Sequence, residues 1–400
     1  MLALDICLLA VLAYLLAVTG YLVLVTLAAV AYRKPAEPGA PPQSMAVVIP
    51  AHNEELQIAG TVATLLDVRY PQDRFAVFVI ADNCDDETAP AARNAGATVV
   101  ERHVPDKRGK GQALDWFFTT HDGLVRPFDV VAIIDADTHA DSRFLEEVSA
   151  SMSRAGVSIL QTFDGVSNPG RNWRTALTYA GFALMNHVRA CGRDRLGGSS
   201  GLKGNGMAFR TGILLERGWP AHSIVEDMEL STRLLLDGYT VRYNPDAVLT
   251  SEMPAARREA DTQRRRWESG RFQLSKRFVP VLLRAFAIHR KWRFLDALLD
   301  LLVPPLSLLV MAQALLLVLT FALRPVWLPL AACCAAGTAV HVIAGLAISR
   351  APARVWLYLL AVPAFLLWKI PLYVGILFGR KQRTWQRTVR QAELERKDEP

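Results

Sequence analysis

The stretch whose reading decides the fold is Val130-Val131-Ala132-Ile133-Ile134-Asp135-Ala136-Asp137. Five apolar residues without polar alternation predict a strand buried on both faces. Two carboxylates follow, two positions apart. On extended backbone such residues point to one side, so Asp135 and Asp137 can both reach one divalent cation that prefers hard oxygen ligands.

Working outward, short apolar runs recur at 46–49, 75–80 and 98–100, and residues 54–66, 87–95 and 112–118 between the runs read as helices. In the first helix Leu56, Ala59, Val62 and Leu66 share one face. Apolar strands alternating with helices predict an α/β fold with a mostly parallel sheet covered on both sides. Ligands of such sheets sit at the carboxyl ends of the strands. Here those ends read Pro50-Ala51-His52-Asn53-Glu54-Glu55, Ala81-Asp82-Asn83-Cys84-Asp85-Asp86 and Asp135-Ala136-Asp137. His52-Asn53-Glu54 also reads as a plain turn and helix start, and Asp85-Asp86 as turn and cap residues. Three acidic strand ends together are different: like charges cost stability unless a cation is present. The usual reason for such a cation is a diphosphate. Asp106-Lys107-Arg108-Gly109-Lys110-Gly111 lacks the spacing of a Walker motif, yet its lysines and glycines suit phosphate oxygens.

Farther on, Gly204-Asn205-Gly206 interrupts the chain, and Ser223-Ile224-Val225-Glu226-Asp227 leads into a helix ending near Gly238. Ser223 and Glu226 have the spacing of a capping box. Asp227 is left without a structural duty and, with Glu226 beside it, is the candidate general base. In Gln263-Arg264-Arg265-Arg266-Trp267, helical spacing puts Gln263, Arg266 and Trp267 on one face and turns Arg264 and Arg265 elsewhere. Residues 257–293 hold twelve basic side chains against three acidic ones, which suits a helix lying on anionic lipid. That role does not require the glutamine or the tryptophan.

Over 400 residues, 52% are hydrophobic and 21% charged, too apolar for a soluble chain and too charged for a membrane bundle alone. The apolar residues gather at the ends. Residues 6–31 are long enough to span a bilayer, which takes about 20 residues. Asp5 precedes the run and Arg33-Lys34 follow it, the reverse of a secretory leader, so a retained anchor is expected with residue 33 onward in the cytoplasm. Three more apolar runs cover 295–322, 326–349 and 355–378, the last interrupted by Pro363, Lys369 and Pro371 and therefore readable as broken or re-entrant. The net charge of +7 fits a membrane surface or phosphorylated substrate and does not imply nucleic acid. Five cysteines show no metal-ligand spacing, which argues against a disulfide scaffold.

The motifs PAHNEE, ADNCDDET, DADT, VED and QRRRW, in that order, resemble the membrane-embedded family-two inverting glycosyltransferases, the group of cellulose, chitin and hyaluronan synthases. The resemblance implies a Rossmann-like GT-A domain with transmembrane helices, and Mg2+ or Mn2+ as cofactor. It implies donor binding by Pro50, Asn53, Glu54, Asp82, Lys110 and Asp135, with Asp82 at the nucleoside and Asp137, with Asp135, at the metal. Asp227 would be the base, while Gln263, Arg266 and Trp267 would hold diphosphate and acceptor. Gln161-Thr162 looks like the element beside the acceptor, and Gly204 and Asn205 occupy the acceptor-facing loop with residues unlike those of cellulose synthase.

The expected organisation is a transmembrane helix at 1–32, a linker at 33–44, the GT-A domain at 45–256 and interface helices at 257–294. A transmembrane region at 295–379 and a basic tail at 380–400 complete it. The expected function is transfer from a nucleotide diphosphate sugar, most simply a UDP-sugar, to an extracellular polysaccharide at a bacterial inner membrane. Membrane lipids are expected partners. Two alternatives stay open: single addition to a lipid acceptor, and a catalytically silent protein that only binds nucleotide sugar.

Overall fold

A computed structural model describes residues 2–35, 39–221, 223–254 and 257–377. By its contacts the described chain divides into two units, one of residues 34–171 and 200–274, the other of 2–33, 172–199 and 275–377.

The first unit is built on an eight-stranded sheet. Its strands are β1 (Met45–Ala51), β2 (Phe75–Asp82), β3 (Thr98–Arg102), β4 (Val130–Ile133), β5 (Thr138–Ala140), β6 (Ile159–Val166), β7 (Met207–Arg210) and β8 (Val241–Ser251). The spatial order is β3-β2-β1-β4-β7-β6-β8-β5. The first four are parallel; β1, β2 and β4 are continuous apolar runs buried on both faces, while β3 is a partly exposed edge strand. Met45, Val47 and Ile49 pack with Ile58, Val62 and Leu65 on one side, while Ala46 and Val48 pack with Leu114, Phe117 and Trp219 on the other. Each large side chain buried this way contributes about 1.5–3 kcal/mol. The sheet is not parallel throughout. β7 runs antiparallel between β4 and β6, and β5 antiparallel to β8.

Three local expectations change. The first helix spans Ile58–Leu66 rather than starting at 54, and it buries Ile58, Thr61, Val62 and Leu65. Leu56 is exposed, because residues 54–57 form a turn entered through Asn53, whose φ of 54° is left-handed. Second, β4 stops at Ile133, so Asp135-Ala136-Asp137 lies in the turn to β5 and not on a strand. Third, the helix Glu226–Leu236 has Val225 at its N-cap with no side-chain cap bond, so the capping box of Ser223 and Glu226 does not form. Ser223 instead donates its backbone N–H to Glu229 Oε2 at 3.3 Å.

In the second unit four helices are long and apolar enough to cross a membrane: Leu4–Val30, Leu306–Leu323, Pro325–Ile348 and Ala353–Gly375. The run expected at 295–322 is two elements. Helix Trp292–Leu302 ends before Pro304-Pro305, where missing N–H groups break the ladder, and Leu306–Leu323 follows. In the last run a 3₁₀ turn, Leu359–Ala361, joins Ala353–Tyr358 to Val362–Leu377. Residues 172–199 belong with these helices: Trp173–Phe182, capped by Asn172, continues through a π turn, Ala183–Val188, into Arg189–Arg195. The expected basic tail at 380–400 lies outside the described residues.

Candidate active site

At the carboxyl end of the parallel strands, two loops tie to each other. Asn53 Nδ2 donates to Asp85 Oδ1, and Asp85 N donates back to Asn53 Oδ1 at 3.0 Å. Glu54 N donates to Thr88 Oγ1 at 2.7 Å, and Asp86 accepts a turn bond from Thr88 N at 3.0 Å. The helix Thr88–Asn94 takes Glu87 at its N-cap with no side-chain cap bond, so the turn duty expected of Asp85 and Asp86 is met and the cap duty is not. His52 Nδ1 lies 2.7 Å from the Asp82 carbonyl oxygen, following Pro50 at the end of β1.

Asp82 is buried and ion-paired with Arg102. The pair follows from β-pairing, since Asp82 and Arg102 are register partners across β2 and β3. Burial pushes the Asp82 carboxyl above its ordinary range and Arg102 pulls it partly back. Sequence reasoning does not reach Arg102; its only signal there is a basic residue ending an otherwise strand-like run.

The centre of the site is assembled by β7. Ile133 pairs with Met207 in the antiparallel β4–β7 ladder, so continuing the register brings Asp135 opposite Asn205. Asp135 N donates to Asn205 Oδ1 at 3.0 Å. On the other side Gln161 pairs with Met207, which places Thr162 opposite Gly206. Thr162 N and Oγ1 both donate to the Gly206 carbonyl, at 2.9 Å each, and Gln161 Nε2 donates to the Asn205 carbonyl at 2.7 Å. Gly206 has a φ of 67°, and a Cβ there would stand 2.0 Å from Thr162 Oγ1, so only glycine fits this close approach. The loop 204–206 is thus clamped from both neighbouring strands.

Lys110, at the start of helix Lys110–Thr120, donates to both Asp135 Oδ1 and the Gly204 carbonyl. A Cβ built on Gly204 would lie 3.4 Å from Asp227 Oδ2, so Asp227 backs directly onto this loop. Burial works to discharge Lys110, but the carboxylates of Asp135, Glu226 and Asp227 outweigh it and hold its proton more tightly than usual. Glu226 and Asp227 open the helix Glu226–Leu236 and are half-buried. Removal from water, then the neighbouring Asp227 charge, pushes Glu226 up to about 7, with Lys110 and Arg266 opposing. Asp227 is raised for the same first reason, with the Met228 backbone, Lys110 and Lys203 opposing.

The Gln263–Trp267 segment lies on helix Arg257–His289, which presses on the turn before Glu226: a Cβ at Gly270 would meet Val225 Cγ1 at 2.6 Å. Arg266 reaches Glu226 electrostatically. Gln263 is buried and Trp267 half-buried, but Arg264, expected to point away, is as buried as Gln263.

Sequence reasoning also misses Asp164. It lies two residues beyond Thr162 on the same face of β6, is buried, and accepts from Asn205 Nδ2 at 2.9 Å. Burial, opposed by the Asn205 bond and reinforced by the Asp135 and Asp137 charges, pushes its carboxyl up to about 8. A charged residue inside the run Ile159–Val166 is the signal that could have found it.

Among the described residues no group of three or more His, Cys, Asp or Glu is arranged to hold a metal. Asp135 and Asp137 supply hard carboxylate oxygens, the donor type that a divalent ion such as Mg2+ or Mn2+ takes.

Residues 41–270 match the family model described as glycosyltransferase like family 2. The chain is 26% identical over 257 residues to a probable glycosyltransferase, YdaM, of Bacillus subtilis, covering 62% of this chain and 59% of that protein. It is 26% identical over 275 residues to beta-monoglucosyldiacylglycerol synthase of Trichormus variabilis, covering 65% and 56%. Glucomannan 4-beta-mannosyltransferase 7 of Arabidopsis thaliana is 26% identical over 267 residues, covering 62% and 47%. The chain therefore spans less than two thirds of the length of these curated relatives. Among solved structures, the mannosyltransferase PcManGT of Pyrobaculum calidifontis, in complex with GDP-Man and Mn2+, shares the fold with a TM-score of 0.53. It is 21% identical and covers 91% of this chain and 99% of that one.

Proposed function

This chain belongs to glycosyltransferase-like family 2, and from that premise we propose that it transfers a sugar, with inversion, from a nucleoside diphosphate sugar to the hydroxyl of a membrane lipid. One observation carries the reading. Lys110 ties Asp135 to the Gly204 carbonyl, and Gly204 backs onto Asp227, so donor-side carboxylates and candidate base share one site.

Asn53, Glu54 and Asp82 border the nucleoside end, with Pro50 on β1 just before the turn. Asp137, with Asp135, holds Mg2+ or Mn2+, which when bound offsets charge on the leaving diphosphate. Lys110 adds a positive charge from the protein side, and Arg266 with Gln263 faces the same phosphates. Asp227 takes the proton from the acceptor hydroxyl as that oxygen attacks the anomeric carbon. Glu226 beside it keeps the local potential negative, and Trp267 offers a flat apolar face to the acceptor.

A lipid acceptor is supported by the similarity to a glycolipid synthase over 275 residues and by four helices able to cross a membrane. Arg33 and Lys34, following the first of these, favour a bacterial inner-membrane protein with a cytoplasmic catalytic domain. The second reading, extension of a polysaccharide, is supported by the similarity to a glucomannan 4-beta-mannosyltransferase.

The test is to incubate the purified protein in lipid nanodiscs with Mn2+ and radiolabelled UDP- and GDP-sugars. A single labelled product that extracts into organic solvent is expected. A ladder of lengthening, water-soluble product would replace this reading by the second one. Donor binding without transfer to any acceptor would make the protein a nucleotide-sugar sensor instead.

A further inference from the structure

Asp164 places an acid where burial makes it costly. It is buried within a strand, close enough to Asp135 and Asp137 to be disfavoured by their charge, where an apolar residue of similar volume would cost less. Its hydrogen-bond partner is the Asn205 amide, and that amide is directional. Asn205 Nδ2 donates to Asp164 Oδ1 at 2.9 Å and to Thr138 Oγ1 at 3.1 Å, while Asn205 Oδ1 accepts from Asp135 N at 3.0 Å. Turning the amide over would set its NH2 against the Asp135 N–H, donor against donor, and break the bond that holds the Asp135 backbone.

We propose that Asp164 is a positioning residue for sugar transfer. It fixes the orientation of the Asn205 amide and through it both the backbone of Asp135 and the loop 204–206 on which Asp227 rests. This rests on the function proposed above. Asp164 contacts neither substrate nor metal in this role. Three strands are needed to make the relay: β6 supplies Asp164, the chain entering β7 supplies Asn205, and the end of β4 supplies Asp135. Because the same loop carbonyl, Gly204 O, accepts from Lys110, a slack amide would loosen the lysine that joins the two halves of the site.

The experiment compares Asp164→Leu, which removes the acceptor, with Asp164→Asn, which keeps a carbonyl oxygen facing Asn205. Donor KM, acceptor KM and kcat are measured separately, together with hydrogen–deuterium exchange of peptides covering 133–138 and 203–207. Asp164→Leu is expected to lower kcat by about thirtyfold with donor KM within about threefold, the scale of leaving the buried Asn205 amide without its acceptor. Exchange in both peptides should quicken. Asp164→Asn should keep at least about ten times the kcat of Asp164→Leu. A reciprocal pair covers the event that Asp164→Leu does not fold. Asn205→Asp places two carboxyls face to face and should be impaired, whereas Asp164→Asn with Asn205→Asp restores a donor–acceptor pair and should recover about tenfold. Wild-type kcat in folded Asp164→Leu, an Asp164→Asn variant as poor as the leucine, or a double variant without recovery would each overturn the proposal. If the wild type transfers no sugar at all, the functional reading fails by itself. Exchange at 133–138 then still decides whether Asp164 holds Asp135 in place.

Discussion

Two clusters of enclosed charge, one in each unit, make opposite use of the same residue types. In the helical unit Arg193 donates from Nε and Nη2 to Asp296 at 3.1 and 3.0 Å and lies 3.1 Å from Asp300 through Nη1. Arg189 pairs with Asp300, and Tyr21 OH donates to Asp296 Oδ1 at 2.9 Å. Two arginines meet two aspartates. Burial acts to discharge Arg193, but Asp296 and Asp300 outweigh it and hold its proton above the ordinary range. In the sheet unit Asp135, Asp164, Glu226 and Asp227 gather about Lys110, Asp137 acts on Asp164, and Lys203 and Arg266 lie near Asp227 and Glu226. There the acids are in excess, and their carboxyls at 164, 226 and 227 are raised rather than lowered. A cluster that balances itself fastens helices together. A cluster left acidic, with its carboxyls raised, suits the cation and the proton transfer proposed for this site.

The largest loss is expected at Asp137, in the acidic cluster. Asp137→Ala should abolish transfer while the protein stays folded and membrane-bound, since a metal ligand supports roughly several kcal/mol of charge stabilisation. Near-normal turnover in the variant, or full wild-type activity in chelator, would detach the acidic cluster from any metal. Asp227→Asn comes next: turnover should fall by ~10²–10⁴ with nucleotide affinity within a few-fold, the usual contribution of a positioned base. Retained turnover there would move the base to another residue.

The balanced cluster is tested by stability instead. Arg193→Met should destabilise the protein by about 3–5 kcal/mol, because Asp296 is left buried without its main partner. Adding Asp296→Leu should recover a large part of the loss. Melting curves in detergent decide this, and an Arg193→Met melt identical to wild type would make the network decorative.

The smallest effect is on pH and carries a definite sign. Glu226 is raised to about 7 and Asp164 to about 8, so each favours the folded state only while protonated. That contribution is complete below the ordinary carboxylate range and is lost as pH rises through about 7 to 8. The ligand-free protein should therefore melt lower at pH 8.5 than at pH 5.5, a trend that Mn2+ with a nucleoside diphosphate should flatten. Glu226→Gln should raise the melting temperature at the higher pH. A helix cap at Glu226 would give the opposite result, a loss of about 1 kcal/mol.

Much of this site is legible in the amino-acid order. Three of the four parallel strands, β1, β2 and β4, announce themselves through unbroken apolar runs, and the acidic strand ends follow by rule. Asp227 stands out because no local duty explains it. The misreadings share a cause. Spacing along one segment points to Leu56 as a buried helix residue and to a capping box of Ser223 and Glu226. In the fold, Asn53 turns left-handed and Val225 takes the N-cap, so the first helix starts at 58 instead of 54 and the second is capped at 225 instead of 223. Helical geometry turns Arg264 outward because it counts neighbours on one helix and cannot see what packs against it.

Local order along the chain therefore establishes the elements, the acidic character of the strand ends and the concentration of apolar residues at both ends. These depend on near neighbours: a run of β-branched residues makes a strand wherever it finally lies. The order of the strands is of another kind. That β7 enters antiparallel between β4 and β6 is decided by pairings across many tens of residues, and no local pattern encodes which edge a strand will choose. This one placement sets Asn205 against Asp135, Gly206 against Thr162 and Asp164 beneath them. Those residues meet only in the folded molecule, because hydrogen bonds and charge act through space over a few ångströms while the chain that joins them wanders elsewhere.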